Sequence, residues 1–206
     1  MNGMRNPILT TVAIKDLRPT QMTVGMREVQ AKRQRWREKN DQQVEKYLSR
    51  HMMPVIRGPK DRYYIIDHHH LTRALYEEKV KEVLVIVVAN LKRLDKEEFW
   101  TFIDNRGWLH PFDAEGRRCS TDDLPKTVAD LTDDPYRSLA GELRRMGGFA
   151  KDTTPFSEFL WADFLRRRVK PKLVVENFER ALETALALAK AREADHMPGW
   201  CGPVSE

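Results

Sequence analysis

Cysteine is scarce in this chain: there are two, Cys119 and Cys201, among 206 residues. They form no CxxC pair and no zinc-finger spacing, so neither a disulfide framework nor a thiolate metal cluster is expected. That usage points to a reducing, cytoplasmic setting. No apolar run reaches the roughly 18 residues that mark a membrane-spanning helix. Residues 1–10 lack the charged-then-apolar order of a signal peptide, so we expect no membrane partner. Internal repeats and low-complexity tracts are also absent, which excludes a solenoid and an extended disordered tail. An acidic excess is missing too. Lys and Arg number 36 against 31 Asp and Glu, a net charge of +5 with a pI near 9.2. This balance permits an anionic partner such as a nucleotide or nucleic acid without requiring one.

The hydrophobic pattern that remains is regular. Residues 8–17 are β-prone and end in Leu17-Arg18-Pro19-Thr20. A helical stretch follows with Val24, Val29 and Trp36 as its apolar side, then a second helix over 41–49 with Asp41 as N-cap. Two strands, 54–57 and 63–66, flank the turn cluster Gly58-Pro59-Lys60-Asp61. A helix over 68–78 comes next. The β-branched run 83–88 fits a strand covered on both faces, and residues 95–103 are helical again. Beyond residue 120 the apolar spacing is helical throughout, through Leu139 and Leu143, then Phe156, Phe159, Leu160, Phe164 and Leu165, then Val175, Phe178, Leu182 and Leu186. The expected fold class is α+β: a small mixed sheet with flanking helices over 8–112, then an all-helical extension over 120–195. The apolar final helix makes a homodimer conceivable. The basic runs 32–39 and 166–172 suit either phosphate contact or a solvated face. Trp36 and Trp161 read as apolar-stripe residues.

The sharpest feature is Ile65-Ile66-Asp67-His68-His69-His70-Leu71-Thr72-Arg73-Ala74. A strand runs into a polar turn and then into a helix. The first N–H groups of a helix lack internal partners and carry partial positive charge, which suits phosphate. Arg73 adds a donor, and histidine titrates near neutrality. Three consecutive histidines make a poor metal cage, because helical neighbours differ by about 100° in direction. The same residues also fit a plain helix cap with a polar turn, and that reading stays open.

This turn resembles the corresponding segment of the ParB and sulfiredoxin families. ParB proteins carry Gly-Glu-Arg-Arg-x-x-Ala there, and sulfiredoxins Gly-Cys-His-Arg. Two further segments are similar to ParB in order and spacing: Asp104-Asn105-Arg106 with Leu109-His110-Pro111-Phe112, and the opening Leu17-Arg18-Pro19. The Asp-His-His-His turn and the segment Phe156-Ser157-Glu158-Phe159-Leu160-Trp161 look like a divergent branch described as ParB-like nucleases. The resemblance covers about 100 residues. It departs from the families at telling places: the Gly-Glu-Arg-Arg core is missing, the turn has no cysteine for sulfiredoxin chemistry, and no helix-turn-helix follows.

The resemblance implies a nucleotide-phosphate site formed by Asp67, His68, Thr72, Arg73 and Asn105. His69 and His70 would be acid and base. Glu28 would be a further base, because kinases of this fold place a carboxylate in the first helix. Asp67 and Asp104 would hold Mg²⁺, and ATP or CTP would be the nucleotide. Asp104, Asn105 and Gly107 fit a helix C-terminal stop equally well. The activities that follow are phosphodiester hydrolysis or phosphoryl transfer. The alternatives are a non-catalytic nucleotide- or DNA-binding partition-type module, or a structural adaptor whose site is vestigial.

Overall fold

The computed structural model describes residues 8–203 and divides them into two compact units. The first holds the segments up to Met22, Val29–Phe112 and Arg118–Thr132; the second holds Thr23–Glu28, Asp113–Arg117 and residues from Asp133 onward. The chain therefore passes between the units several times rather than once near residue 112. Residues 120–132, which the sequence reading places at the start of the helical extension, belong to the first unit.

The first unit contains strands β1 (Ile8–Ala13) and β2 (Leu17–Pro19); β3 (Thr23–Val24) and the first turn of helix α1 (Met26–Arg37) fall in the second unit. Val24 is therefore a strand residue and not part of the helical stripe, and the helix starts two residues later. Helix α2 (Asp41–Arg50) is capped by Asn40 rather than Asp41. The Asn40 side chain accepts from Gln43 N–H at 3.0 Å, and the Gln43 amide accepts from Asn40 N–H at 3.0 Å, a reciprocal capping box. Strands β4 (Met53–Gly58), β5 (Arg62–Ile65) and β6 (Glu82–Asn90) follow, with α3 (His69–Glu77) between the last two and α4 (Lys96–Asn105) after them.

The sheet has five strands in the order β1-β6-β4-β5-β2. β1 runs antiparallel to β6, β6 parallel to β4, β4 antiparallel to β5, and β5 parallel to β2. The mixed sheet follows from short connections at the hairpin and a helix crossover from β5 to β6. The two edge strands are consecutive in sequence, joined by a three-residue 3-10 turn, Ile14–Asp16. In a flat sheet four spacings of about 4.8 Å would hold these edges roughly 19 Å apart. The chain from Ala13 to Leu17 spans at most about 14 Å even when fully extended. The sheet must therefore curl so that its edges approach.

β6 corrects one expectation. It is interior to the sheet, yet Val83, Val85 and Val87 are buried while Val88 is 45 % exposed. The strand alternates instead of being covered on both faces. A register shift between β4 and β6 at Val55/Ile56 skips Val88 in the pairing, which is a β-bulge.

One core cluster of this unit joins Ile56, Tyr64, Phe99, Ile103, Leu109 and Leu124. Gly58 lies under it, and a Cβ there would sit 2.7 Å from both Tyr64 Cε2 and Phe99 Cε2. The α4 helix ends in a Schellman motif: Gly107 at φ 65° donates to Asp104 O at 2.9 Å and Trp108 N–H to Ile103 O at 2.9 Å.

The second unit is mainly helical: α5 (Pro135–Arg145), α6 (Ser157–Arg166), α7 (Pro171–Glu176) and α8 (Phe178–Lys190), preceded by a two-residue strand β7 (Thr132–Asp133) that begins at the last residue of the first unit. Trp161 is fully buried in its core, stacked on Phe149 at 4.5 Å and donating Nε1–H to Pro198 O at 2.8 Å. Leu160 and Val175, placed on the apolar stripe by spacing, are exposed. The last helix stops at Lys190, and a short 3-10 turn, Arg192–Ala194, carries the chain on. Among the described residues no helix is long and apolar enough to cross a membrane.

A methyl group at position 58 overpacks two aromatic rings. We expect Gly58→Ala to lower unfolding stability by about 1–3 kcal/mol, read from urea denaturation curves.

Candidate functional site

The turn between β5 and α3 is built around His69. This residue is 4 % exposed, and its Nε2 accepts the backbone N–H of Thr20 at 3.2 Å. The ring also makes a backbone hydrogen bond with Ile65. The Thr20 hydroxyl donates to Ile65 O at 2.8 Å, so the ends of β2 and β5 are tied twice. Burial above all, and then the neighbouring His70 and His68, press the His69 pKa down to about 3. His69 is a neutral brace, and its atoms are occupied where an acid–base catalyst would need them free.

Thr20 is the meeting point of all three family-like segments. Its carbonyl accepts His110 N–H at 2.8 Å, and Gln21 pairs with His110 in an isolated parallel bridge. Residues 17–20, 67–74 and 109–112 thus converge on a few buried hydrogen bonds. Nothing in the pattern of Thr20 itself signals this; it reads as an ordinary polar residue after a proline.

His68, not Asp67, is the N-cap of α3, and it adopts a left-handed conformation at φ 64° without a side-chain capping bond. Asp67 Oδ1 accepts His68 N–H at 2.6 Å. The His68 carbonyl takes Thr72 N–H at 2.8 Å and the Thr72 hydroxyl at 3.0 Å. Thr72, wholly buried, also lies 3.4 Å from Met53 Sδ, so its hydroxyl faces the interior and not a ligand. The His68 side chain is 34 % exposed, with Nε2 4.0 Å from Asp67 Oδ2. Its Nδ1 is buried without a partner. Burial lowers the His68 pKa; Asp67 opposes this, while His51 and Lys32 add to it. His70 is buried beside His69.

Arg73 has a different task from the phosphate contact its position suggests. Its Nη1 donates to the carbonyls of Val128 at 3.1 Å, Ala129 at 2.5 Å and Leu131 at 3.0 Å, and its Nε to Glu77 at 2.9 Å. The guanidinium closes the 3-10 turn Val128–Asp130 and is consumed by it.

The remaining predicted residues do not gather at the turn. Asn105 lies at the end of α4 and donates to Thr101 O at 3.0 Å, while Asp104 pairs with Arg118. Both serve the helix end. Glu28 belongs to the second unit, where its Oε2 lies beside Gly141. Among the described residues no group of three or more His, Cys, Asp or Glu side chains is placed to hold a metal ion. Asp67 Oδ1 accepts the His68 N–H, and Asp104 pairs with Arg118.

The first unit is therefore a curled α+β domain in which residues 17–20, 67–74 and 109–112 meet at a strand–turn–helix corner. A family model described as "Putative ParB-like nuclease" matches residues 10–167, and the chain belongs to that family. The protein Atu1540 from Agrobacterium tumefaciens, known as a crystal structure, is 53 % identical; the match covers 96 % of this chain and 99 % of that one, with a TM-score of 0.90. The C-terminally truncated chromosome-partitioning protein ParB from Caulobacter crescentus, complexed with CTP-γ-S, aligns over 91 % of this chain and 94 % of that one at 15 % identity. Its TM-score is 0.32, too low to carry an argument about this chain's ligand. No curated protein matches the sequence.

Two outcomes follow. The unfolded chain takes up a proton on His69 below about pH 6.5, whereas the folded chain does so only near pH 3. Folded stability should therefore fall as pH drops from about 6.5 toward 3, by up to about 1.4 kcal/mol per unit from this residue. His69→Gln should be less stable at pH 7 and should lose that part of the slope, measured by denaturation across the pH range. Arg73→Ala removes one donor from each of three carbonyls, of which Val128 O keeps the Leu131 N–H, and we expect a loss of about 2–3 kcal/mol in unfolding stability by the same method.

Proposed function

We propose that the first unit binds a phosphate-bearing ligand of the nucleotide class at the β5–α3 turn and hydrolyses a phosphodiester there, with Asp67 and His68 as the reacting pair. The observation that carries this reading is the 4.0 Å separation of Asp67 Oδ2 and His68 Nε2 at a partly exposed corner. That gap is too long for a direct hydrogen bond and suits a bridging water or ligand oxygen. His68, kept neutral by its depressed pKa, would accept a proton from that water as it attacks phosphorus. Asp67 would then steady the imidazolium, while the ester P–O bond breaks and the departing oxygen takes a proton from solvent. The N-terminus of α3 and the charge of Lys32, which acts on His68, would favour the phosphate. The family description as a nuclease supports the reaction class. We write no step through Mg²⁺, and it enters the test as a separate arm.

The structural commitment of His69 and Arg73 favours a second reading, a nucleotide- or DNA-binding module without turnover. The same experiment separates the two. Purified protein is titrated calorimetrically with ATP, CTP and a short DNA, each with and without Mg²⁺, and assayed for cleavage of a labelled oligonucleotide. The variant is His68→Asn, because asparagine tolerates the left-handed backbone that alanine would strain. We expect the variant to keep its fold and to lose about 10²- to 10⁴-fold in cleavage rate. Binding without any cleavage in the wild type would leave the module reading. No binding of any phosphate ligand would leave a structural adaptor.

A further inference from the structure

At the other end of β5 from the turn lies a cavity of about 310 Å³, in the range of small-ligand sites. Its wall carries five cationic side chains, Arg18, Lys60, Arg62, Lys96 and Lys126, against one carboxylate, Asp122. Asp122 is already paired with Lys96. Arg18, Lys60, Arg62 and Lys126 make no ion pair with another described residue. Four positive charges thus line one cavity without an ion-pair partner among the described residues, and an anion is the occupant that would relieve them.

The cavity also carries three aromatic rings, Tyr64, Phe99 and Trp100. Phe99 and Tyr64 are buried and belong to the core, whereas Trp100 is half-buried. Trp100 meets Tyr64 edge-on at 5.5 Å and Phe99 at 5.0 Å, so its ring is held in one orientation. A fixed, partly exposed indole beside unpaired cations is the combination that binds a base and its flanking phosphates. An acidic peptide would use the charges and leave the ring idle. A duplex would keep its bases stacked away from it.

The hairpin supports this use. Lys60 and Asp61 both adopt left-handed backbone, at φ 59° and 58°. Glycine or asparagine would fit those positions with less strain, and lysine there costs roughly 1–2 kcal/mol. The Arg57–Asp61 ion pair and the packing of Gly58 under Tyr64 and Phe99 hold the turn in place. Asp95 and Glu97 border Trp100 from the side of α4, which directs a polyanion over the hairpin instead.

We propose that this cavity holds one nucleotide of a single-stranded nucleic acid, its base on Trp100 and its flanking phosphates on the cations of the hairpin and of residues 18 and 126. The site is separate from the β5–α3 turn and stands whether or not that turn cleaves anything.

The test is fluorescence anisotropy of a labelled short oligothymidylate with the full chain over a series of salt concentrations. Trp100→Ala should weaken binding about 5- to 150-fold, the range of stacking on one base. Trp100→Phe should remain within about threefold of wild type. The double variant Arg62→Ala, Lys126→Ala should reduce the slope of log K against log salt by about 1.4, at roughly 0.7 per phosphate contact. Circular dichroism verifies the fold of each. The proposal is overturned if Trp100→Ala binds as wild type does, or if the double variant keeps the full salt slope. It is equally overturned if polyglutamate competes on par with the oligonucleotide, which would mark an acidic-peptide surface, or if a duplex of the same length binds as tightly. Should Trp100→Ala fail to fold, the double variant and Trp100→Phe decide.

Discussion

A single neutral imidazole holds together the corner where β2, β5 and α3 meet. His69 receives a hydrogen bond from Thr20 and makes another with Ile65, and so locks the end of an edge strand to the end of its neighbour. Burial makes this possible. A charged ring could not accept the Thr20 N–H, and an exposed ring would not stay neutral as the pH falls. Because the brace fixes Ile65, the next residues must climb into α3 through a strained left-handed step at His68. That step leaves the His68 ring and the Asp67 carboxylate at the surface while their neighbours turn inward.

The three histidines thus divide by environment. His69 and His70 are buried, His69 as the brace, while His68 keeps contact with solvent. The sequence reading gives acid–base work to His69 and His70 and ligand contact to His68, since type and spacing say nothing of which way a left-handed residue turns the chain. The strand–turn–helix itself was legible, because an apolar run ending in polar residues and resuming at helical spacing has few other solutions. So was the mixed sheet with helices after it. The destination of Arg73 was not legible. Its partners are main-chain carbonyls of residues 128, 129 and 131, and carbonyls are carried by every residue type. Asp104 and Asn105 show the reverse case. Gly107 beside them announces a helix end, and the Schellman bonds of Gly107 and Trp108 form there.

Residues 118–132 were hard to read for a related reason. Their short turns lack periodicity, yet they supply Leu124 to the aromatic core and Val128 to the buried set. They also bring Lys126 beside Arg18 and Arg62. A cationic cavity assembled from four distant stretches leaves no local motif. What could have flagged it is the lysine–aspartate pair at a hairpin tip, where glycine or asparagine would be the economical choice.

The curl of the sheet sets how this unit can come together. β1 finds its partner only in β6, with Ile8 opposite Val87, although the β4–β5 hairpin is entirely local. Closing that long loop must wait until most of the unit's chain is in place, so the hairpin and α3 would form first and the edge strand would seal last. Until it does, the valine- and isoleucine-rich edge of β6 is open to any other strand. The first strand therefore acts as a guard against self-association during folding as well as a structural member.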